Sequence, residues 1–157
     1  MPWRVGPMEE RDLAALAAIE RLCFSLPWSE EGLGAELGNP AALFLTARRG
    51  EEPAGYIGVH ICAEDAQVAN LAVHPAFRRQ GLGRMLVLEA CRLARARGAR
   101  RMTLEARASN SGALALYEGC GFVRLGVRRG LYERPREDGI VLARTLAGRP
   151  GAEREEA

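Results

Sequence analysis

The residues of this chain best suited to chemistry begin with an apolar strand, Asn70-Leu71-Ala72-Val73. It runs through the basic, glycine-bearing stretch from His74 to Arg84 into an amphipathic helix. Gly81 and Gly83 remove side chains where the backbone is expected to turn tightly. N–H groups at a helix start point outward with partial positive charge, and Arg78, Arg79 and Arg84 add formal charge around the same turn. The direct reading is a pyrophosphate cradle. A Walker loop needs Gly-Lys-Ser/Thr, and the chain has no lysine. A dinucleotide fingerprint needs a third small residue where this chain has Leu86. The plainer alternative is a glycine-rich turn that opens a helix for structural reasons alone.

A second group lies downstream, in Leu104-Glu105-Ala106-Arg107-Ala108-Ser109-Asn110 and then Ala115-Leu116-Tyr117-Glu118 and Gly121-Phe122. Strand periodicity puts Met102, Leu104 and Ala106 on one face and Thr103 and Glu105 on the other. Asn110 and Tyr117 are seven residues apart, two helical turns, which predicts a shared helix face. A carboxylate, an amide and a phenol can thus converge beside the phosphate loop. The plainer readings are a solvated Glu105 and a Tyr117 that fills core.

The pattern Arg78-x-x-Gly81-x-Gly83 resembles the acyl-CoA loop of the GCN5-related N-acetyltransferases, the GNAT superfamily. The motifs at 104–110 and 115–122, with Pro27-Trp28-Ser29-Glu30, are similar to the ribosomal-protein-alanine N-acetyltransferase (RimI-type) branch. Arg128-Arg129, Tyr132 and Glu137-Asp138 are similar to it as well, so the likeness runs from residue 3 to residue 146. It implies an α/β (α+β) GNAT fold: a mixed, mostly antiparallel sheet of about six to seven strands flanked by four helices, with a splayed strand pair holding acetyl-CoA.

It further implies that the backbone of Leu71, Ala72 and Val73 hydrogen-bonds the pantetheine arm like an added strand. Arg79, Gln80, Gly81, Leu82, Gly83 and Arg84 would bind the pyrophosphate. Asn110 would contact the cofactor near its reactive end, with Tyr117 close by. Glu105 matches the family's proton acceptor and Tyr117 its proton donor. The implied reaction carries acetyl from acetyl-CoA, without a metal, to the α-amino group of a protein's N-terminal alanine. The branch's acceptor is small-subunit ribosomal protein eighteen. A lysine or small-amine acceptor stays open, as does an acetyl-CoA-binding regulatory module without catalysis. Two residues depart from the branch pattern: Leu131 stands where a second tyrosine is common, and Gly139 where alanine follows the acidic pair.

The elements that must position these groups follow from pattern. A first strand is expected at Trp3 to Val5, and then a helix capped by Asp12 with Leu13, Leu16, Ile19 and Cys23 at helical spacing. Ser29 is expected to cap a second helix carrying Leu33 and Leu37, with Trp28 as packing or as lining of a peptide entrance. Strands are predicted at 42–48, 54–62 and 67–73. The helix after the loop carries Leu82, Met85, Leu86, Ala90 and Leu93 on one stripe and ends at Gly98. A strand at 101–106, a helix from Asn110 and strands at 122–127 and 140–146 complete the order, with a polar segment from Arg128 to Gly139 between the last two. Arg128 and Arg129 are read there as a solvated face. His60 is read as a strand residue and His74 as a turn residue.

The 157 residues and 48% apolar composition predict one globular domain, residues 1–148, followed by a charged tail at 149–157. A net charge of +2 gives no reason to expect nucleic-acid binding. The four cysteines lie far apart with no Cys-x-x-Cys pair, which disfavours a metal site and suggests small buried hydrophobes. No signal-peptide pattern and no bilayer-length apolar run is visible, so the expectation is a cytoplasmic monomer whose partner is its protein substrate.

Overall fold

The computed structural model describes residues 3–146. The segment read as a tail, 149–157, lies outside the described residues. The strands are β1 Arg4–Pro7, β2 Ala42–Arg49, β3 Glu52–Cys62, β4 Asp65–Val73, β5 Arg101–Arg107, β6 Val123–Tyr132 and β7 Glu137–Thr145. The helices are α1 Leu13–Cys23, α2 Glu30–Ala35, α3 Leu82–Ala96 and α4 Ser111–Gly119. The strands form one sheet in the order β1-β2-β3-β4-β5-β7-β6. Every described pairing is antiparallel except that of β4 with β5.

Alternation along β2 and β3 builds a core on each side of the sheet. Leu43, Leu45, Ile57 and Val59 pack with Leu82, Leu86 and Val87 of α3 on one face. Phe44 and Tyr56 pack with Leu16 and Ile19 of α1 and Leu33 of α2 on the other. With a helix layer on both faces, these strands read as apolar runs rather than as polar–apolar alternation.

The feature that makes a site is a gap. β4 and β5 pair only over Asp65–Gln67 and Arg101–Thr103, and beyond that their ladder stops. On its other edge β5 stays paired with β7 along its whole length, Arg101 to Arg107. β4 stays paired with β3, but the register shifts between Gly58 and Val59, so that Ala69 is an extra residue in the strand. A bulge of this kind bends its strand and increases the local twist. It turns Asn70–Val73 away from β5.

Some expectations need correction. Asp12 does not cap α1 with its side chain. It closes a capping box with Glu9 around the one-turn 3-10 helix Glu10–Asp12, accepting from the Glu9 N–H at 2.9 Å. Its carboxylate is buried against Arg48 and the Thr46 hydroxyl. Met85 and Leu37 are exposed, while Val87, Cys91 and Ala94 complete the buried stripe of α3. Cys91 and Cys120 are buried as expected, but Cys62 is exposed. The segment from Arg128 is not a loop: β6 continues to Tyr132. An edge strand has one side in water and needs no apolar alternation to persist.

Candidate active site

Ser29 caps α2 as expected, its hydroxyl accepting from Gly32 N at 2.9 Å. The loop before it, 24–28, lies at one wall of a cavity of about 780 Å³ that opens at the β4/β5 gap. Glu105, Asn110, Tyr117, Leu71 and Trp28 all line this cavity, so the two elements carrying the candidate residues do converge. Ser25 Oγ donates to the carbonyl of Arg134 at 2.8 Å, which joins the α1–α2 loop to the β6–β7 turn across the cavity mouth. Arg107 braces that turn by donating to the carbonyls of Pro135 (2.8 Å) and Glu133 (2.9 Å), with its guanidinium 4.6 Å from the Tyr132 ring centroid.

Tyr117 is held by the end of its own helix. Gly121 has φ +93°, and the N–H groups of Phe122 and Gly121 donate to the carbonyls of Tyr117 (3.0 Å) and Glu118 (3.1 Å). This is a Schellman closure, which requires the left-handed residue that glycine supplies. The accompanying apolar contact is between the Phe122 and Tyr117 rings, 5.8 Å apart and edge-on. Tyr117 is nearly buried, yet its hydroxyl has no hydrogen-bond partner among the described residues. Burial pushes the phenol's pKa well above its ordinary value, so it stays a proton donor across the physiological range.

Glu105 lies on β5 opposite Val141 and is partly exposed to the cavity. Its carboxylate accepts a hydrogen bond from Arg128 of β6, which lies on a solvated face as expected and also partners the candidate base. Asn110 opens the helix that carries Tyr117: it is the N-cap of α4, its Oδ1 accepting from Ala113 N at 3.0 Å, and both residues line the same cavity.

The backbone of β4 divides. His74 N donates to Ala54 O at 2.8 Å, and antiparallel ladders bond alternate pairs, so Ala72 spends its N–H and C=O on Tyr56. Leu71 and Val73 therefore point their backbone groups toward the gap. The Val73 carbonyl is already engaged by Arg78 Nε at 3.3 Å and Cys23 Sγ at 3.5 Å.

The glycine-bearing loop sits just beyond that end of β4. Gly81, at φ +83°, is the N-cap of α3, and the following N–H groups of Leu82, Gly83 and Arg84 are the free donors of a first helical turn. Gly83 does not turn the chain. It lies inside α3, where a Cβ would come within 2.9 Å of Leu116 Cδ2, so it allows α3 to pack closely on α4. Arg84 donates to the Gly119 carbonyl at 3.2 Å and Arg78 turns back to β4. Arg79 and Gln80 are exposed, and Arg79 is the loop arginine with no partner among the described residues.

A buried carboxylate that pattern reasoning missed supports this site. Glu20 of α1 accepts from Trp28 N at 2.8 Å, Tyr56 OH at 2.7 Å and Asn70 Nδ2 at 2.6 Å. It ties the α1–α2 loop to the bulged part of β4. Its sequence signal was its place on the buried 13-16-17-20 stripe of α1. Leu131 and Gly139 also prove to be one feature, since a Cβ at 139 would lie 2.5 Å from Leu131 Cδ2. Among the described residues there is no group of three or more His, Cys, Asp or Glu that could hold a metal, and no helix long and apolar enough to cross a membrane.

The acetyltransferase (GNAT) family model matches residues 13–122. The chain is 35% identical over 143 residues to the putative [ribosomal protein bS18]-alanine N-acetyltransferase of Bacillus subtilis, covering 90% of this chain and 95% of that protein. It is 36% identical over 141 residues to the [ribosomal protein bS18]-alanine N-acetyltransferase of Escherichia coli K12, covering 88% and 95%. The crystal structure of the Escherichia coli ribosomal-protein-S18-alanine N-acetyltransferase superposes with a TM-score of 0.85 at 33% identity, covering 95% of this chain and 98% of that one. Ard1 from Thermoplasma volcanium shares the fold, with a TM-score of 0.85 at 18% identity over 94% and 100% of the two chains.

Proposed function

We propose that this chain, which belongs to the acetyltransferase (GNAT) family, transfers acetyl from acetyl-CoA to the N-terminal α-amino group of a protein. The acceptor we propose is an alanine-starting ribosomal protein, as the names of its relatives indicate for them. The observation that carries this reading is the meeting of Glu105 and Tyr117 in one cavity at the mouth of the β4/β5 gap. A ribosomal-protein acceptor would place the reaction in the cytoplasm.

The donors present suit the co-substrate. The free N–H groups at the start of α3, with Arg79, suit a pyrophosphate. The gap-facing backbone of Leu71 and Val73 suits an extended amide-bearing arm, and Asn110 stands near where that arm would end. Acetyl-CoA supplies a thioester, whose carbonyl is open to attack by a neutral amine. An α-amino group has a pKa of roughly 7.7–8.0 against about 10.4 for lysine, so little help is needed to neutralise a chain terminus. Glu105, once the amine shares or replaces its Arg128 contact, takes the proton lost on attack. Tyr117, kept protonated by burial, gives a proton or a hydrogen bond to the departing sulfur.

The test uses an alanine-starting peptide and acetyl-CoA, with the α-acetylated product read by mass spectrometry. Tyr117→Phe keeps the ring against Phe122 and is expected to lower kcat about 10²–10⁴-fold with little change in acetyl-CoA affinity. Glu105→Gln is expected to lower kcat as well, but to regain activity as pH rises and more amine is neutral unaided. Tyr117→Phe should show no such recovery. Matching pH profiles, or full activity in Tyr117→Phe, would reassign the roles. Absence of transfer to any acceptor would favour an acetyl-CoA-binding regulatory module.

A further inference from the structure

The helix that carries Tyr117 is short, and its last turn is what aims the phenol. Tyr117 stands two residues before Gly119, the end of α4. With no hydrogen bond on its hydroxyl among the described residues, its direction depends on the backbone beneath it and on its ring packing against Phe122. A helix leaves its last carbonyls without helical partners. Here the carbonyls of Leu116, Tyr117 and Glu118 are met by the N–H groups of Cys120, Phe122 and Gly121. The next two are met by side chains: Arg84 Nη1 donates to Gly119 O at 3.2 Å and Arg144 Nη1 to Cys120 O at 3.0 Å. The two arginines differ in origin. Arg144 belongs to β7, whereas Arg84 belongs to the first turn of α3, whose N–H groups suit the pyrophosphate.

We propose that Arg84 is a positioning residue for Tyr117: its guanidinium ties the end of α4 to the start of α3, and its backbone N–H is what it offers the co-substrate. This role presupposes Tyr117 as the acid in acetyl transfer and adds what holds that acid in place. Two contacts lie side by side along the seam between the helices. Gly83 lets α3 approach Leu116, and Arg84, the next residue, reaches Gly119, three positions further along α4. Leu116 and Gly119 share one face of α4, and Tyr117 lies between them in sequence. The chemistry suits a cation, because the carbonyl end of a helix carries partial negative charge and a guanidinium donates to it with charge assistance. Arg79, exposed and without a partner among the described residues, is the loop charge left for the phosphates. Placement of this kind matters to an acid, since a displacement of about 1 Å can lower a rate about a hundredfold.

The test compares Arg84→Met and Arg84→Lys with wild type by two measurements: kcat for an alanine-starting peptide, and calorimetric binding of CoA to the protein without acceptor. Arg84 is exposed, so Arg84→Met removes the donor without entering the core. Its kcat is expected to fall about tenfold while the CoA Kd stays within about twofold of wild type. Arg84→Lys, which can still donate to the carbonyl, should recover part of kcat. In a Tyr117→Phe background Arg84→Met should lower kcat no further, because a misplaced acid cannot be lost twice. Unchanged kcat in Arg84→Met, whatever the CoA Kd, would overturn the positioning role and leave the acetyl-transfer reading standing. So would an equal loss of kcat in the Tyr117→Phe background, which would make Arg84 a general support of the fold. Wild-type protein that binds CoA but transfers acetyl to no acceptor would overturn both.

Discussion

Asp12 and Glu20 are both carboxylates with no solvent exposure, eight residues apart in sequence, and the chain treats them in opposite ways. Asp12 lies against β2, ion-paired with Arg48 and further bonded by Thr46 and the Glu9 N–H. Burial alone would push its pKa up, but the Arg48, Glu9 and Thr46 hydrogen bonds outweigh it and hold the group below the usual carboxylate range. Glu20 has no cation within ion-pair distance among the described residues, only three neutral donors. Burial dominates there and its pKa rises. A paired buried charge serves a scaffold. An unpaired one is costly, and here it occurs where its three donors come from a cavity-lining loop (Trp28), a core strand (Tyr56) and the bulged strand beside the gap (Asn70).

The strongest perturbation breaks the Asp12 side. Arg48→Met leaves Asp12 buried without its cation, at a cost of about 3–5 kcal/mol. Thermal denaturation should show the midpoint lowered by roughly 10 °C, while kcat and both KM values stay near wild type at temperatures where the variant is folded. If acceptor KM changes as much as stability does, Asp12 is not mere scaffold and the contrast fails.

Glu20→Gln should be milder in stability and sharper in function. The amide keeps the volume but puts an N–H against donors, stranding one of them at a cost of about 1–3 kcal/mol, partly offset by removing a buried charge. The expected signature is a several-fold rise in acceptor KM with an unchanged KM for acetyl-CoA. A loss of melting temperature with no KM split would reduce Glu20 to core structure.

The subtlest difference is in pH dependence, and its sign is opposite for the two groups. Asp12 has a folded pKa below its unfolded value of about 3.9, so its stabilisation is present above that value and is lost as pH falls through the folded pKa. Glu20 has a folded pKa above its unfolded value of about 4.3, so its contribution is full below that value and is lost as pH rises through the folded pKa. Denaturant titrations of wild type and Glu20→Gln should therefore draw apart in favour of wild type as pH falls from neutral toward about 4.3. A constant difference would mean that Glu20 titrates alike folded and unfolded.

Much of the site was legible in the sequence. The strand–loop–helix from Asn70 to Ala96, the Ser29 cap and the Glu105, Asn110 and Tyr117 set all rest on short-range spacing. Arg128 was not legible as the partner of Glu105. That contact depends on β7 lying between β5 and β6 and on a register shift between Arg124 and Gly126. Glu20 stood on a buried stripe in plain view, but a glutamate there gives no sign of its donors until α1 is laid on β3 and β4. The departures at Leu131 and Gly139 looked independent because one is in β6 and the other in β7, and only their approach across the hairpin brings a Cβ at 139 against the Leu131 side chain.

What the chain dictates unaided is local: which segments bury an apolar stripe, where hydroxyls, amides and glycines end helices, and that a basic loop opens α3 with free N–H groups. Such features depend on neighbours a turn or two away, and the chain carries them wherever it folds. The β4/β5 gap, the division of Leu71 and Val73 from Ala72, the Arg128–Glu105 pair and the two fates of Asp12 and Glu20 exist only once the elements are assembled. Each depends on strand register and on groups brought together across tens of residues. A shift of one position in a strand's register would turn the same side chains to another face.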